Sequence, residues 1–402
     1  MMKHDSIDAA LDALKHGRMI IVVDDEDREN EGDLVMAAEF IDEQKMAFMI
    51  RHTGGVVCVP LSNEIADQLD LPAMVSRNTS LLGTPYTVSV DATDNTTTGI
   101  SAADRAQTVK VMGEKNARPD DLRRPGHVFP LRSKDGGVLV RAGHTEATID
   151  LCRMAGLREA GVLSELMHDD GTMMRRVAID EFAKTHDLPV VTIADLVAYR
   201  RQNEHLVTLE AETDLETEFG TWHLKVFKDV VHGAEHVAMV QGEISKDEPV
   251  LVRVHSECMT GDVFASLHCD CGEQLHAAMQ RIHQEGKGVI IYLRQEGRGI
   301  GLANKIRAYE LQNKEGLDTV EANVRLGLPV DLREYGIGAQ MLCDIGVRKM
   351  KLLTNNPKKI AGLQGFGLEV VEQLPIEITP LSERQKKYMQ TKKMKMGHLL
   401  HL

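Results

Sequence analysis

GVIIYLRQEGRGIGLANKIRAYELQ (288–312) decides the fold. Gly288 to Leu293 is a short β-branched run of the kind that lies buried in a sheet, and ANKIRAYELQ carries a helical pattern. At the junction, Gly297, Gly299 and Gly301 let backbone amides approach an oxyanion closely. Their spacing fits the dinucleotide fingerprint poorly. Glu296 and Arg298 flank the loop with opposite charges, which suits a triphosphate with its metal or a purine edge.

The same alternation extends outward. Strands are expected at 250–254 and 350–354, and around LVTLEAETDL and TWHLKVF, with helices after each chemically loaded loop. Upstream, MIIVV (19–23), GVVCVPL (55–61) and GVLVRAG (137–143) read as buried strands, with helical patterns at 43–51 and 145–155. DLVAYRRQNEHL (195–206) closes this half as a helix followed by a charged stretch. The expected class is α/β (α+β): two mixed α/β domains in tandem, 1–202 and 203–402, each with a central mixed sheet flanked by helices.

A length of 402 residues suits two cores. The formal net charge of −14 argues against a general nucleic-acid binder, though a small phosphorylated substrate needs only a local basic pocket. No apolar run approaches the roughly 20 residues that span a bilayer. The opening MMKHDSIDAALDALKHG reads as an amphipathic helix rather than a signal peptide, so a cytoplasmic protein with free thiols is expected. Arg384 to Lys395 carries six basic residues and no acid, and reads as a solvated, partly mobile terminus.

RVHSECMTGDVFASLHCDCGEQL (253–275) places Cys258, Cys269 and Cys271 where three thiolates can converge. Zinc with an open position for a reactive water is one reading. A closed zinc knot completed by His255 or His268 is another, and a disulfide with a spare thiol is a third. Downstream, KLLTNNPKK (351–359) runs from a strand into Thr354 and paired lysines, either solvated or a second phosphate-binding element. Asp331, Arg333 and Tyr335 form a short polar segment before a Gly-x-Gly turn.

Together these motifs resemble GTP cyclohydrolase II over about residues 206 to 400. The resemblance implies hydrolytic opening of the guanine imidazole ring with release of a diaminopyrimidinone phosphate, formate and pyrophosphate. It implies zinc on Cys258, Cys269 and Cys271. GTP would be bound by Arg253, Val254, His255, Ser256 and Glu257, and by Gln274, Glu296, Gly297, Arg298, Thr319, Thr354 and Lys359. Asp331 matches the family's proton acceptor, Tyr309 a tyrosine that touches the reacting base, and Arg333 a proposed nucleophile at the α-phosphate. A guanidinium normally stays protonated, so charge stabilisation is the other role for Arg333. His268 departs from the family, where arginine is expected.

In the first half, DDEDRENEGDLV (24–35) sets Arg28 among acids, a solvated loop or a site for a divalent cation plus an anionic group. TTTGISAADR (96–105), RPGHVFPLR (124–132), RAGHTEATIDL (141–151) and GVLSELMHDDGTMMR (161–175) follow. Thr145 reads as a helix cap, and Glu165 as a carboxylate in an apolar strand that needs a purpose. Cys58 reads as a packed small hydrophobe. The set resembles 3,4-dihydroxy-2-butanone 4-phosphate synthase over about residues 5 to 202. That resemblance implies ribulose 5-phosphate as substrate, a four-carbon phosphate and formate as products, and magnesium or manganese on Glu29 and His144. Arg28, Glu29, Asp33, Arg141, Ala142, Gly143, His144 and Thr145 would contact substrate. Glu165 would bind substrate and move protons, and His127 matches a residue regarded as essential.

The expectation is a bifunctional enzyme of riboflavin biosynthesis, a homodimer by both resemblances, acting on small molecules without nucleic acid or membrane. The rival readings are a chain with one silent half, a zinc-stabilised GTP sensor, and, more distantly, a dinucleotide-dependent dehydrogenase.

Overall fold

The β-branched runs form two mixed sheets of seven strands each, one in each half of the chain. The computed structural model describes residues 5–25, 28–328, 333, 335–356 and 366–396. The chain divides into two compact units, Met1–Arg200 and Arg201–Leu402.

The first unit runs α1 (Ile7–Lys15), β1 (Ile20–Val23), β2 (Gly32–Ala37), α2 (Glu43–His52), β3 (Cys58–Leu61), α3 (Asn63–Gln68), β4 (Val90–Ala92), α4 (Ala102–Gly113), β5 (Leu122–Arg132), α5 (His144–Met154), β6 (Gly161–Glu165), α6 (Arg176–His186), β7 (Val190–Thr192) and α7 (Ile193–Asn203). Its strand order is β4-β5-β3-β6-β2-β1-β7. Both faces of the sheet are covered, which is why β1 reads as unbroken apolar sequence. Ile20 and Val22 pack with α1, α5 and α7. Ile21 and Val23 pack with α2, α3, α4 and α6 on the other face. Ser6, Asp42, Ser62 and Ser101 cap α1, α2, α3 and α4 with their side chains.

GVLVRAG (137–143) is not a strand. Its first three residues form a turn of 3-10 helix. The Val138 amide donates to Asp150 Oδ2 at 2.8 Å, where a strand would donate to its neighbour. Gly137 lies at φ +61, and a Cβ there would meet Asp150 Oδ1 at 2.2 Å, so the turn can form only with glycine.

The second unit runs β8 (Val207–Thr217), β9 (Gly220–Asp229), β10 (Glu235–Gln241), β11 (Val250–Ser256), α8 (Met259–Asp262), α9 (Cys271–Glu285), β12 (Gly288–Leu293), α10 (Leu302–Glu315), α11 (Thr319–Arg325), α12 (Gly336–Ile345), β13 (Lys349–Leu353), β14 (Glu369–Leu374) and α13 (Glu383–Met396). Here the order is β14-β13-β11-β12-β10-β9-β8. β11 pairs in parallel with both β12 and β13, so three strands end at one edge. Such a carboxyl edge is where open α/β sheets bind ligands. Val250, Val252 and Val254 pack with α12, while Leu251 packs with α9.

The C-terminal basic stretch is part of this unit, contrary to the solvated terminus expected from its charge. It forms α13, with Gln385 and Lys392 buried.

Candidate active sites

In the first unit the acid loop follows β1, and the register of β2 with β6 sets Asp33 opposite Glu165. Asp24 organises the loop, accepting from Arg28 Nη1 at 2.8 Å, the Glu29 amide at 3.1 Å and the Glu31 amide at 2.9 Å. α5 delivers His144 as its first residue. Ligand atoms of Asp24, Glu29 and His144 lie within 4.8 Å of one another, as do those of Glu29, Glu31 and Glu165.

The residues fit a divalent cation. His144 Nε2 is buried with no hydrogen-bond partner among the described residues, as is Asp33 Oδ1. Burial lowers the His144 pKa, which favours the neutral imidazole a metal needs. Burial, followed by the charges of Glu29 and Glu31, raises Asp33 well above the ordinary carboxylate range. Glu165 is raised by desolvation and then by Asp33 and Glu29. A cation here would relieve that mutual repulsion.

Around this cluster Arg28 bonds Glu29 Oε1 at 2.5 Å, and Arg141 Nη1 holds Glu146 at 2.6 Å. Thr145 is buried inside the first turn of α5. Gly143 is the N-cap, with no side-chain cap, so the expected threonine cap is corrected. Gly143 leaves room for Arg141, whose Nη1 would lie 2.5 Å from a Cβ at that position. Ala142 adjoins it in the same turn. Cys58 is buried and pushed up to about 12 by burial, the behaviour of an inert thiol.

His127 stands apart from the cluster. It lies on β5, its Nδ1 2.8 Å from Asp91 Oδ2, and β3 and β6 separate β5 from β2. Gly99 makes this pair possible. At φ +94, a Cβ there would fall 2.2 Å from Asp91 Oδ2 and 2.5 Å from His127 Nδ1. Gly99→Ala is expected to destabilise this unit by about 2 kcal/mol and to displace His127. Urea unfolding of the variant, alongside its synthase rate, checks this.

In the second unit a cavity opens at the carboxyl edge of β11, β12 and β13. β11 alternates: Arg253 and His255 continue the Leu251 face toward the cavity, while Val254 points into the opposite core. The Val254 side chain is therefore no part of the site. Ser256, Glu257, Gln274, Glu296, Gly297, Arg298, Thr319 and Thr354 all line the cavity, with Tyr309 and Arg333. Asp331 and Lys359 lie outside the described residues.

Arg298 lies at φ 62, ψ 35, a left-handed conformation rare for arginine, directly after Gly297 at φ 62. Its Nη1 is buried without a partner among the described residues, a donor left for an anion. Arg253 Nη2 donates to Gln274 Oε1 at 2.7 Å.

Cys258, Cys269 and Cys271 converge, their sulfurs all within 4.8 Å of one another. The Cys258 and Cys269 sulfurs are 3.6 Å apart. Tetrahedral zinc with bonds of about 2.3 Å sets sulfurs about 3.8 Å apart, so the residues fit zinc. All six cysteines are free. Neither candidate fourth ligand joins the cluster. His255 Nε2 bonds Asp262 at 3.1 Å, and His268 stacks on Tyr309 with centroids 4.4 Å apart. The open zinc site is the reading these placements favour. Hydrogen bonds from Cys269 and Cys271, and then the Lys305 ammonium, hold the Cys258 thiol far below its usual range.

Four contributors escaped the sequence reading: Asp24, Asp262, Lys305 and Lys392. Lys305 Nζ lies 3.1 Å from Cys258 Sγ and 2.8 Å from Glu296 Oε1. One helical turn separates it from Tyr309, and that i, i+4 spacing was a usable signal. Asp262 gathers the metal turn, accepting from the Cys258 amide and the Tyr292 hydroxyl, both at 2.9 Å.

Two family models match in tandem: 3,4-dihydroxy-2-butanone 4-phosphate synthase over residues 8–199 and GTP cyclohydrolase II over 208–375. "Riboflavin biosynthesis protein RibBA" of Bacillus mycoides is 56% identical over 396 residues, 98% of this chain and 99% of that protein. The Bacillus cereus protein of the same name is likewise 56% identical over the same span. Among solved structures, RibBX from A. baumannii, described as a two domain 3,4-dihydroxy-2-butanone 4-phosphate synthase, is 36% identical. It superposes with a TM-score of 0.70 over 93% of this chain and 100% of that one. The chain therefore belongs to the bifunctional riboflavin biosynthesis family that joins a 3,4-dihydroxy-2-butanone 4-phosphate synthase to a GTP cyclohydrolase II.

Proposed function

We propose that the second unit opens the imidazole ring of GTP, releasing formate and pyrophosphate, and that the first converts ribulose 5-phosphate to the four-carbon phosphate and formate. The observation that carries this is the three-sulfur cluster at a cavity lined by the nucleotide-binding set. Zinc, when bound, supplies a Lewis acid that makes water reactive near neutral pH. Arg298, with its unpaired donor, and Lys359 hold phosphate oxygens. Thr319 and Thr354 add hydroxyls, and Arg253 and Gln274 form the floor. Tyr309, half-buried and stacked on His268, orients the base, and Asp331 accepts the proton. Arg333 stabilises phosphate charge, since a guanidinium keeps its proton.

In the first unit Glu29 and His144 hold magnesium or manganese, which supplies positive charge beside the substrate oxygens. Arg28 and Arg141 orient the phosphorylated sugar, Asp33 bonds its hydroxyls, and Glu165 moves protons. The complete cysteine cluster and cavity here support two working halves. The test is formate release from GTP with zinc and, separately, from ribulose 5-phosphate with magnesium. Formate from both supports the proposal, and formate from neither moves the sensor reading to the front.

The separation of His127 from the Glu29–His144 cluster supports a homodimer in which His127 serves a site completed by the second copy. Glu165→Gln and His127→Ala chains, each inactive alone, are then expected to recover synthase activity when mixed. Recovery should reach about a quarter of wild type, because half of randomly reassorted dimers are mixed and each has one intact site. No helix among the described residues is long and apolar enough to cross a membrane. The free cysteines support the expected cytoplasmic location.

A further inference from the structure

The cyclohydrolase family match ends at residue 375, yet the chain continues into α13, and this helix is built into the cavity. Tyr388 and Lys392 line it. Lys392 is 8% exposed, and its Nζ lies 2.5 Å from Oδ1 of Asp270, which is wholly buried between Cys269 and Cys271 in the chain. The other Asp270 oxygen accepts from Gln274 Nε2 at 2.7 Å. Gln274 accepts in turn from Arg253 Nη2 at 2.7 Å, and Arg253 Nη1 donates to the Leu353 carbonyl at 3.0 Å. One hydrogen-bonded chain thus runs from the C-terminal helix, through the turn that carries two of the sulfurs, to the floor of the cavity. Gln385 adds a second tie, donating to the Cys269 carbonyl at 2.9 Å.

Asp270 occupies the N-cap position of α9 but makes no side-chain cap there. An aspartate at that position ordinarily satisfies a helix amide. Here its carboxylate is turned to Lys392 and Gln274, so the helix forgoes a cap in favour of the network. Buried ions are retained only when paired and hydrogen-bonded, and among the described residues Lys392 is the ion-pair partner of Asp270.

We propose that Lys392 is a positioning residue for the metal turn and the nucleotide floor, and that α13 is a working wall of the cyclohydrolase site. The proposal rests on the reading that the three cysteines hold zinc. Without Lys392, the buried Asp270 loses the cation in direct contact with it, and the turn that aims Cys269 and Cys271 must shift or admit water. Gln274 loses its anchor in the same event, so metal retention and GTP affinity fall together.

The experiment uses the full-length zinc-loaded chain. Zinc affinity is measured by competition with a chromogenic chelator, and KM and kcat for GTP are measured separately. Lys392→Met is expected to weaken zinc binding roughly 10–100-fold, the usual effect of losing a residue that orients ligands, and to raise KM for GTP. Lys392→Arg, which restores a cation, should recover most of both. Lys395→Met removes the pairs to Asp318 and Glu321 from the same helix, leaves the Asp270 contact in place, and should leave zinc affinity unchanged. Wild-type zinc affinity and KM in Lys392→Met overturn the proposal. So does an equal loss in Lys395→Met, which would mean that helix docking alone matters. Wild-type protein that holds no zinc, or a Cys258→Ser chain that retains it, removes the metal reading itself, and the proposal falls with it.

Discussion

Glu165→Gln is expected to lower formation of the four-carbon phosphate roughly 10²–10⁴-fold, the contribution of a positioned general base, while GTP hydrolysis stays at the wild-type rate. The amide keeps the shape of the side chain and its place opposite Asp33, so lost activity reports lost proton transfer. The pH dependence has a definite sign. Desolvation first, then Asp33 and Glu29, raise the Glu165 pKa, and a base acts only when ionised. At limiting magnesium, synthase activity should therefore fall on acidification at a higher pH than an ordinary carboxylate allows, and saturating magnesium should move that edge to lower pH. Stability of the metal-free unit follows the same groups. Glu31, Asp33 and Glu165 are all raised above their ordinary values. A raised folded pKa contributes stability that is present below the unfolded value and lost as pH rises through the folded one. Magnesium offsets the resulting repulsion. Its increase in Tm is expected to be larger at pH 8 than at pH 5, and an equal increase at both would contradict a cation held among these acids.

Legibility of the fold tracked how directly a residue's neighbours in the chain set its environment. β1 and β12 were readable because strands covered on both faces must be apolar throughout. GVLVRAG has the same composition, yet a distant carboxylate, Asp150, takes its Val138 amide and ends the strand pattern before it starts. RPGHVFPLR hid the strand β5 behind two prolines and exposed polar positions. Motif resemblance named Val254 among the nucleotide-binding residues, although alternation with the cavity-facing Arg253 and His255 sends its side chain to the other layer. α13 was unreadable for a different reason. ERQKKYMQTKKMKM has too few apolar residues to announce a buried face, and it is held by Lys392, Gln385 and Lys395, whose partners lie more than 70 residues away. The three cysteines, grouped by their motif, do converge in the fold. The role of Asp270 could not be named in advance, because it depends on which ammonium the fold brings to it.

Cys258→Ser is expected to abolish formate release from GTP, by at least about 10³-fold, because a metal Lewis acid supplies several kcal/mol of transition-state stabilisation. Bound zinc should fall from one per chain to well below that, read by atomic absorption, while the synthase reaction continues. Serine is nearly isosteric, but it offers a hard hydroxyl that keeps its proton where zinc requires a thiolate. The six cysteines also differ enough to permit a test without mutation. In metal-stripped protein, hydrogen bonds from its two partners and the Lys305 ammonium keep Cys258 ionised, whereas burial pushes Cys58 and Cys152 up to about 12. Iodoacetamide near neutral pH should therefore label Cys258 first, and zinc should protect it. Lys305→Met should slow the labelling, since it removes the cation 3.1 Å from the sulfur. Labelling at Cys58 ahead of Cys258, or labelling indifferent to zinc, would remove the basis for a metal at this cluster. Protection by zinc together with persistent GTP hydrolysis in Cys258→Ser would keep the metal and take the reaction away from it.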